Sequence, residues 1–149
     1  MPEPAEPLFT PRHWIALTAL ISGLVAVYLH LWKIGDMGPL VCNAQHSCEI
    51  VMTSQWGRFL GVDVALIGAV GYTMILIVAL AGLQAAHLYS RTITAVLTVL
   101  IVGAFLFTVR LKYYEWFVMH AFCKWCAISA VTITTQLVAV MIDRKRVVP

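Results

Sequence analysis

The stretch FCKWCAISAVTITTQLVAVMI, residues 122–142, contains no Asp, Glu or Arg, and its single Lys lies in the first turn. An apolar run of this length is about what a helix needs to cross the hydrocarbon core of a bilayer. On a helix, Cys123 and Cys126 share one face, and the unsatisfied N–H groups at a helix N-terminus favour a thiolate there. The stretch therefore predicts a membrane helix that carries a redox-active dithiol at its mouth.

The composition of the whole chain is typical of a membrane protein. Of its 149 residues, 61% are hydrophobic and only 11% are charged, whereas soluble domains contain about a quarter charged residues. This length has room for about four spanning helices and no separate soluble domain. The net charge of +3 and the absence of a basic patch with interleaved aromatic residues argue against nucleic-acid binding.

Three further apolar segments precede the last one. They predict spans at about 13–32, at 64–83 and at 92–109, the third continuing to about 118, and the last helix ends before Arg144. Arg110 and Lys112 are expected to extend to the membrane interface. We predict an all-α, integral-membrane four-helix bundle (13–142), with a flexible N-terminal tail (1–12) and a basic C-terminal tail (143–149). The N-terminal tail lacks the basic region of a secretory signal, so the first helix is expected to be retained.

A long connection, residues 33–63, joins the first two spans and carries Cys42 and Cys48. A connection of this length in a compact protein is usually functional, and its second half is apolar enough to form a short interfacial helix. Four crossings place both termini on one side of the membrane. The cysteine loop and the start of the fourth helix then share the other side, where all four sulfurs can meet.

The basic residues divide evenly, five to each side, so their count does not decide the orientation. The dense cluster Arg144-Lys145-Arg146 favours termini in the cytoplasm. Persistent disulfide chemistry favours an extracytoplasmic face for the cysteines.

Two cysteine pairs at one membrane face are consistent with an electron relay. A soluble dithiol would reduce the loop pair, a loop thiolate would attack the helix pair, and a lipid-soluble quinone would be the final oxidant. Two alternatives remain open. The cysteines can form structural disulfides, or they can bind zinc together with His46 or His120.

Several residues, in the same order along the chain, resemble the vitamin K epoxide reductase family: SCxxVxxSxWGRxxG at 47–61, then Gly68, Tyr72 and FCxxC at 122–126. The resemblance implies a four-helix membrane bundle around a quinone of the ubiquinone, menaquinone or phylloquinone type. It makes Cys42 and Cys48 the shuttle pair, with Cys48 exchanging with Cys123 and Cys126 facing the quinone.

The resemblance also places Ser54, Trp56 and Tyr72 on the wall of the quinone pocket. Taken singly, Tyr72 would be an ordinary helix-packing tyrosine and Ser54 a helix cap. Two positions differ from the animal members of the family. Val64 stands where they have an Asn and Ala130 where they have a Tyr, and both of those side chains help to bind vitamin K oxygens.

Many bacterial members of the family carry a fused thioredoxin-like domain, which we do not expect in 149 residues that already hold four spans. The resemblance therefore implies a separate soluble thiol partner, DsbA-like or thioredoxin-like. The function expected from the sequence is a thiol:quinone oxidoreductase of the bacterial inner membrane that supports disulfide-bond formation. The alternatives are a vitamin K quinone or epoxide reductase and a non-catalytic membrane protein with structural or metal-binding cysteines.

Overall fold

The computed structural model describes residues 9–35, 58–87, 90–120 and 124–147. Its four long helices are α1 (Pro11–Lys33), α2 (Val64–Gly82), α3 (Arg91–Tyr114) and α4 (Lys124–Val147). Each is long and apolar enough to cross a membrane. The predicted all-α, integral-membrane four-helix fold is therefore confirmed.

Local chemistry explains where three of the helices begin. Pro11 occupies the first turn of α1, where its missing N–H costs nothing. The Asp63 carboxylate accepts a hydrogen bond from the Ala65 N–H at 3.2 Å and so caps α2. The Ser90 hydroxyl accepts the N–H of Ile93 at 3.4 Å at the start of α3.

Two helices extend further than the sequence predicts. The first helix begins at Pro11 rather than His13, and α4 continues through Arg144 to Val147. The third helix widens into a π-helical turn at Glu115–Met119 and ends at His120, whose φ of 50° is left-handed. This end agrees with the predicted continuation to about residue 118.

A tight hairpin precedes α2, where the sequence predicts only a connection. Strands β1 (Arg58–Phe59) and β2 (Val62–Asp63) pair in antiparallel fashion. The two turn residues, Leu60 and Gly61, have φ of 53° and 81°, as a two-residue hairpin turn requires. The predicted interfacial helix in the second half of the connection lies outside the described residues.

The helices form a ring in which α1 contacts α2 and α4, and α3 contacts the same two neighbours. The half of the bundle nearer the termini is the more tightly packed. Its core is formed by aliphatic side chains from all four helices, among them Ile15, Ile75, Ala79, Leu97, Ile101, Ile133 and Val140. Other large apolar side chains point outward, as expected for surfaces in contact with lipid.

Arg12 joins the helix ends at the terminal side of the bundle. Its side chain is 1% exposed, and its guanidinium donates to Asp143 in α4, to the Gly82 carbonyl at 2.7 Å and to the Thr94 hydroxyl at 2.9 Å. These contacts bring together the start of α1, the end of α2, the start of α3 and the end of α4. The helices therefore alternate in direction, as predicted.

The opposite end of the bundle holds the end of α1 and the starts of α2 and α4. His30 and Lys33 in the last turn of α1 contact the Asp63 carboxylate, and the rings of Tyr28 and Trp125 lie 6.0 Å apart. The end of the long connection and the beginning of the cysteine-bearing helix thus lie at the same end of the bundle.

Candidate functional site

A cavity of about 400 Å³ lies between the four helices, in the half of the bundle away from the termini. Volumes of this size are typical of sites for small organic ligands. Most of the described residues that line it are apolar. The polar ones are few: Ser22, Tyr72, Thr108, Lys112, Cys126 and Ser129.

Cys126 forms part of this cavity wall. It is the third residue of α4 as described, and its side chain is half-buried. A thiol on the wall of an apolar cavity can exchange electrons with a ligand that binds inside it.

Hydroxyl groups from three helices meet at the inner end of the cavity. The Tyr72 hydroxyl in α2 forms a hydrogen bond of 2.8 Å with the Ser129 hydroxyl in α4, and the Ser22 hydroxyl in α1 also contacts it. Tyr72 is only 8% exposed. Because a hydroxyl both donates and accepts, this group can hydrogen-bond a carbonyl oxygen of a bound ligand.

Two glycines shape the wall between these polar groups. A Cβ atom added at Gly71 or at Gly103 would meet no atom within 4 Å, and both residues line the cavity. The missing side chains therefore leave open space that a flat ring or a prenyl chain can occupy. Trp125 contributes an aromatic surface nearby, and its ring also contacts Lys124 at 5.9 Å.

The wall carries one charged residue among the described lining residues, Lys112. Its ammonium group lies 3.0 and 3.2 Å from the two carboxylate oxygens of Glu115, and Glu115 is 1% exposed. Glu115 lies about one helical turn nearer the end of the span, so the expectation that Lys112 extends to the membrane interface stays a prediction.

A second polar cluster lies at the same end of the bundle. His30 Nδ1 is 2.7 Å from Asp63 Oδ2, and Lys33 contacts the other carboxylate oxygen. Burial raises the pKa of Asp63, but the hydrogen bonds from Lys33 and His30 and the charge of Lys33 outweigh it. The pKa of Asp63 therefore lies below its ordinary value of 3.8.

Of the predicted site residues, Cys126 and Tyr72 line one cavity. The others lie outside the described residues: Cys42, Cys48, Ser54, Trp56 and Cys123. Within the described ranges no group of three or more His, Cys, Asp or Glu side chains could hold a metal ion. The zinc alternative requires cysteines beyond those ranges, so it stays a prediction.

Sequence reasoning missed Ser129, Ser22, Gly103 and the role of Lys112 in the wall. Ser129 could have been found, because it follows Cys126 by three residues and so lies on the same helix face. The other three reach the cavity only through the rotation of α1 and α3 against their neighbours.

Four helices that can cross a membrane and that surround an apolar cavity define an integral-membrane protein with a site for a small organic ligand. The comparison with known families agrees, because the model of the "Vitamin K epoxide reductase family" matches residues 13–141. The match covers most of the chain, and the protein belongs to this family. It is therefore a quinone-linked thiol oxidoreductase of the membrane.

Proposed function

We propose that the protein oxidises a soluble, DsbA-like or thioredoxin-like thiol protein and passes the electrons to a membrane quinone, supporting disulfide-bond formation. The observation that carries this proposal is Cys126 on the wall of an apolar cavity that opens space for a flat ring. A bound quinone supplies a two-electron acceptor.

The electron route uses four cysteines. The partner's dithiol reduces a Cys42–Cys48 disulfide and becomes oxidised. The Cys48 thiolate then attacks Cys123 of a Cys123–Cys126 disulfide and releases the Cys126 thiolate, and Cys42 attacks Cys48, which re-forms the loop disulfide and leaves Cys123 and Cys126 reduced. This reduced pair returns to the disulfide by giving its two electrons to the quinone at the cavity. Overall, two thiols of the partner lose two electrons and two protons and become a disulfide. The quinone takes up both electrons and both protons and leaves as the quinol.

The described residues fit a quinone. The walls are apolar, Tyr72 and Ser129 provide hydroxyl groups for a carbonyl oxygen, and the volume is in the range of small-ligand sites. Tyr72 and Ser129 orient the ring, while the aliphatic walls exclude water from the reduced thiols. Ser54 and Trp56 would complete the pocket from the long connection. Rates of reduction measured with ubiquinone, menaquinone and phylloquinone distinguish the three quinone types.

The experiment is oxidation of candidate thiol partners by the purified protein in detergent, with quinone reduction followed by absorbance. One quinol should form per disulfide made. If a small dithiol supports quinone reduction but no DsbA-like or thioredoxin-like protein does, the partner is wrong. If neither does so with any of the three quinone types, the proposed function is overturned.

Val64 weighs against a vitamin K epoxide reductase. It is the first residue of α2 and lines the cavity, so an aliphatic side chain occupies a place where animal members have an amide donor. We expect quinone reduction to proceed while the corresponding epoxide is not reduced. Comparable turnover of both substrates would favour the epoxide reductase instead.

The remaining rival is a non-catalytic protein with structural or metal-binding cysteines. Metal analysis of the purified protein tests the metal-binding alternative, because one tightly held zinc ion per chain would take up the cysteines that the relay needs. We expect no stoichiometric zinc.

We propose the bacterial inner membrane as the location, with cytoplasmic termini and extracytoplasmic cysteines. The basic residues Arg144, Lys145 and Arg146 in the last turn of α4 support this orientation. After reduction, a membrane-impermeant thiol reagent applied from outside should label Cys42 or Cys48. Labelling only after the membrane is broken would reverse the orientation.

A further inference from the structure

We propose that Lys112, held by the buried Glu115, is a catalytic residue that binds a carbonyl oxygen of the quinone and stabilises negative charge there. The inference rests on the proposed function, because it assigns a residue to the oxidant side of that reaction. It starts from a charge on the wall of a cavity whose other described lining residues are uncharged.

Lys112 lies close to the end of the third span. It lies 21 residues after the start of α3 at Arg91, about 31 Å along the axis, where the span reaches its end. A lysine at this depth can direct its ammonium group to the headgroups. Here the ammonium group contacts both oxygens of Glu115, a carboxylate that is 1% exposed.

This ion pair is expected to add little to the stability of the fold. Desolvating two charges costs about as much as their attraction returns, and ionisable groups inside membrane bundles are more often functional than structural. The chain also widens into a π-helical turn at Glu115, a distortion that occurs frequently at functional sites. An anchored ammonium group beside the cavity can both recognise an oxygen atom and stabilise charge on it.

Lys112 and Cys126 share the wall of one cavity, so both can contact a ring bound inside it. When Cys123 and Cys126 form their disulfide, two electrons and two protons leave the thiols and enter the quinone. Electron density then rises on the quinone oxygens. Glu115 keeps the lysine side chain in position, and the Lys112 ammonium group places its positive charge and an N–H donor beside the nearer oxygen.

The test compares a ligand that has carbonyl oxygens with one of the same shape that lacks them. Isothermal titration in detergent, with protein-free micelles as the blank, measures the binding of 2-methyl-1,4-naphthoquinone and of 2-methylnaphthalene. We expect Lys112→Met to bind the quinone about tenfold more weakly, as the loss of a charge-assisted hydrogen bond predicts, and the naphthalene unchanged. Lys112→Arg, which keeps the charge, should restore most of the quinone affinity.

Arg110→Met is the matched control. Arg110 lies on the same helix and is exposed, it is not part of the cavity wall, and its removal should leave both affinities unchanged. Lys112→Met could prevent folding, because it removes the ammonium group from the buried Glu115 carboxylate. In that case the double variant Lys112→Met with Glu115→Gln, which removes both charges, replaces it in the test. It should show the same selective loss.

Equal loss of affinity for both ligands in these variants would mean that Lys112 only shapes the cavity, and it would overturn the proposal. Unchanged quinone affinity would overturn it as well. Failure of the wild-type protein to bind or reduce any quinone is a different result, because it overturns the proposed function itself.

Discussion

Arg12 and Asp143, 131 residues apart in the sequence, form a buried ion pair in which the guanidinium Nε donates to both carboxylate oxygens, at 3.1 and 3.0 Å. Both side chains are 1% exposed. The Thr94 hydroxyl donates to the same carboxylate at 3.0 Å. The pair thus fixes the terminal end of the bundle, while the cavity occupies the other half.

We expect Asp143→Ala to lower the free energy of unfolding by about 3–5 kcal/mol, because it leaves the Arg12 charge buried without its carboxylate. Replacing both residues, Arg12→Met with Asp143→Leu, should recover at least half of that loss. The measurement is thermal unfolding in detergent. Arg144→Ala, at an exposed neighbour on the same helix, should have little effect. A small loss for Asp143→Ala would mean that the buried Arg12 charge does not depend on this carboxylate.

The sequence predicted the four spans well because each is an uninterrupted apolar run, and such runs depend on local composition alone. It assigned Arg12 and Asp143 to the tails for the same reason, since a charge beside an apolar run normally marks where a helix leaves the membrane. Their pairing depends on how four helices meet, which a single sequence does not contain.

The residues of the candidate site were likewise predicted only in part. The motif residues Tyr72 and Cys126 were predicted, and the structure brings both to one cavity. The sequence placed Lys112 at the membrane interface and missed its contact with Glu115 and its place on the cavity wall. Both depend on how α3 is rotated against its neighbours. The hairpin at Leu60–Gly61 was missed as well, because a leucine in a left-handed conformation gives no turn signal.

The relay predicts which mixed disulfide accumulates when one cysteine is removed. Cys42→Ala should trap Cys48 with Cys123, because no resolving thiol remains in the loop to release the bond. Mass spectrometry of unreduced peptides detects this link. Any single Cys→Ala change should abolish quinone reduction with the protein partner, and near-normal turnover by Cys48→Ala would exclude the relay.

The hydrogen bond between Tyr72 and Ser129 predicts a moderate effect on quinone affinity. Tyr72→Phe and Ser129→Ala should each raise the KM for quinone about fivefold, since a neutral hydrogen bond contributes about 1 kcal/mol. Steady-state kinetics at saturating thiol donor measures this change. Thr73→Ala is the control, because the Thr73 hydroxyl donates to the Ala69 carbonyl on its own helix. Unchanged KM in both site variants would remove the hydroxyl pair from the quinone site.

The lowered pKa of Asp63 predicts how stability depends on pH. The folded state favours the carboxylate, so the stabilisation is fully present above the unfolded value near pH 4 and is lost as the pH falls through the lower folded pKa. Asp63→Asn keeps an N-cap acceptor but removes the charge. The wild type should be the more stable protein at pH 6, and the difference should shrink below about pH 4. A difference that grows towards acid pH would contradict the assignment.

Gly103 provides a direct test of whether the cavity is the quinone site. Gly103→Leu places a side chain into open space, so quinone binding should weaken at least about tenfold while the stability is unchanged or rises by up to about 1 kcal/mol. Gly82→Ala should do the reverse, because its Cβ would lie 2.9 Å from Ile93 Cγ2 and 3.0 Å from Arg12 Nη1. Overpacking there should cost about 1–3 kcal/mol of stability and leave quinone affinity intact. Isothermal titration and thermal unfolding on both variants separate the two effects, and full quinone affinity in a folded Gly103→Leu protein would place the quinone elsewhere.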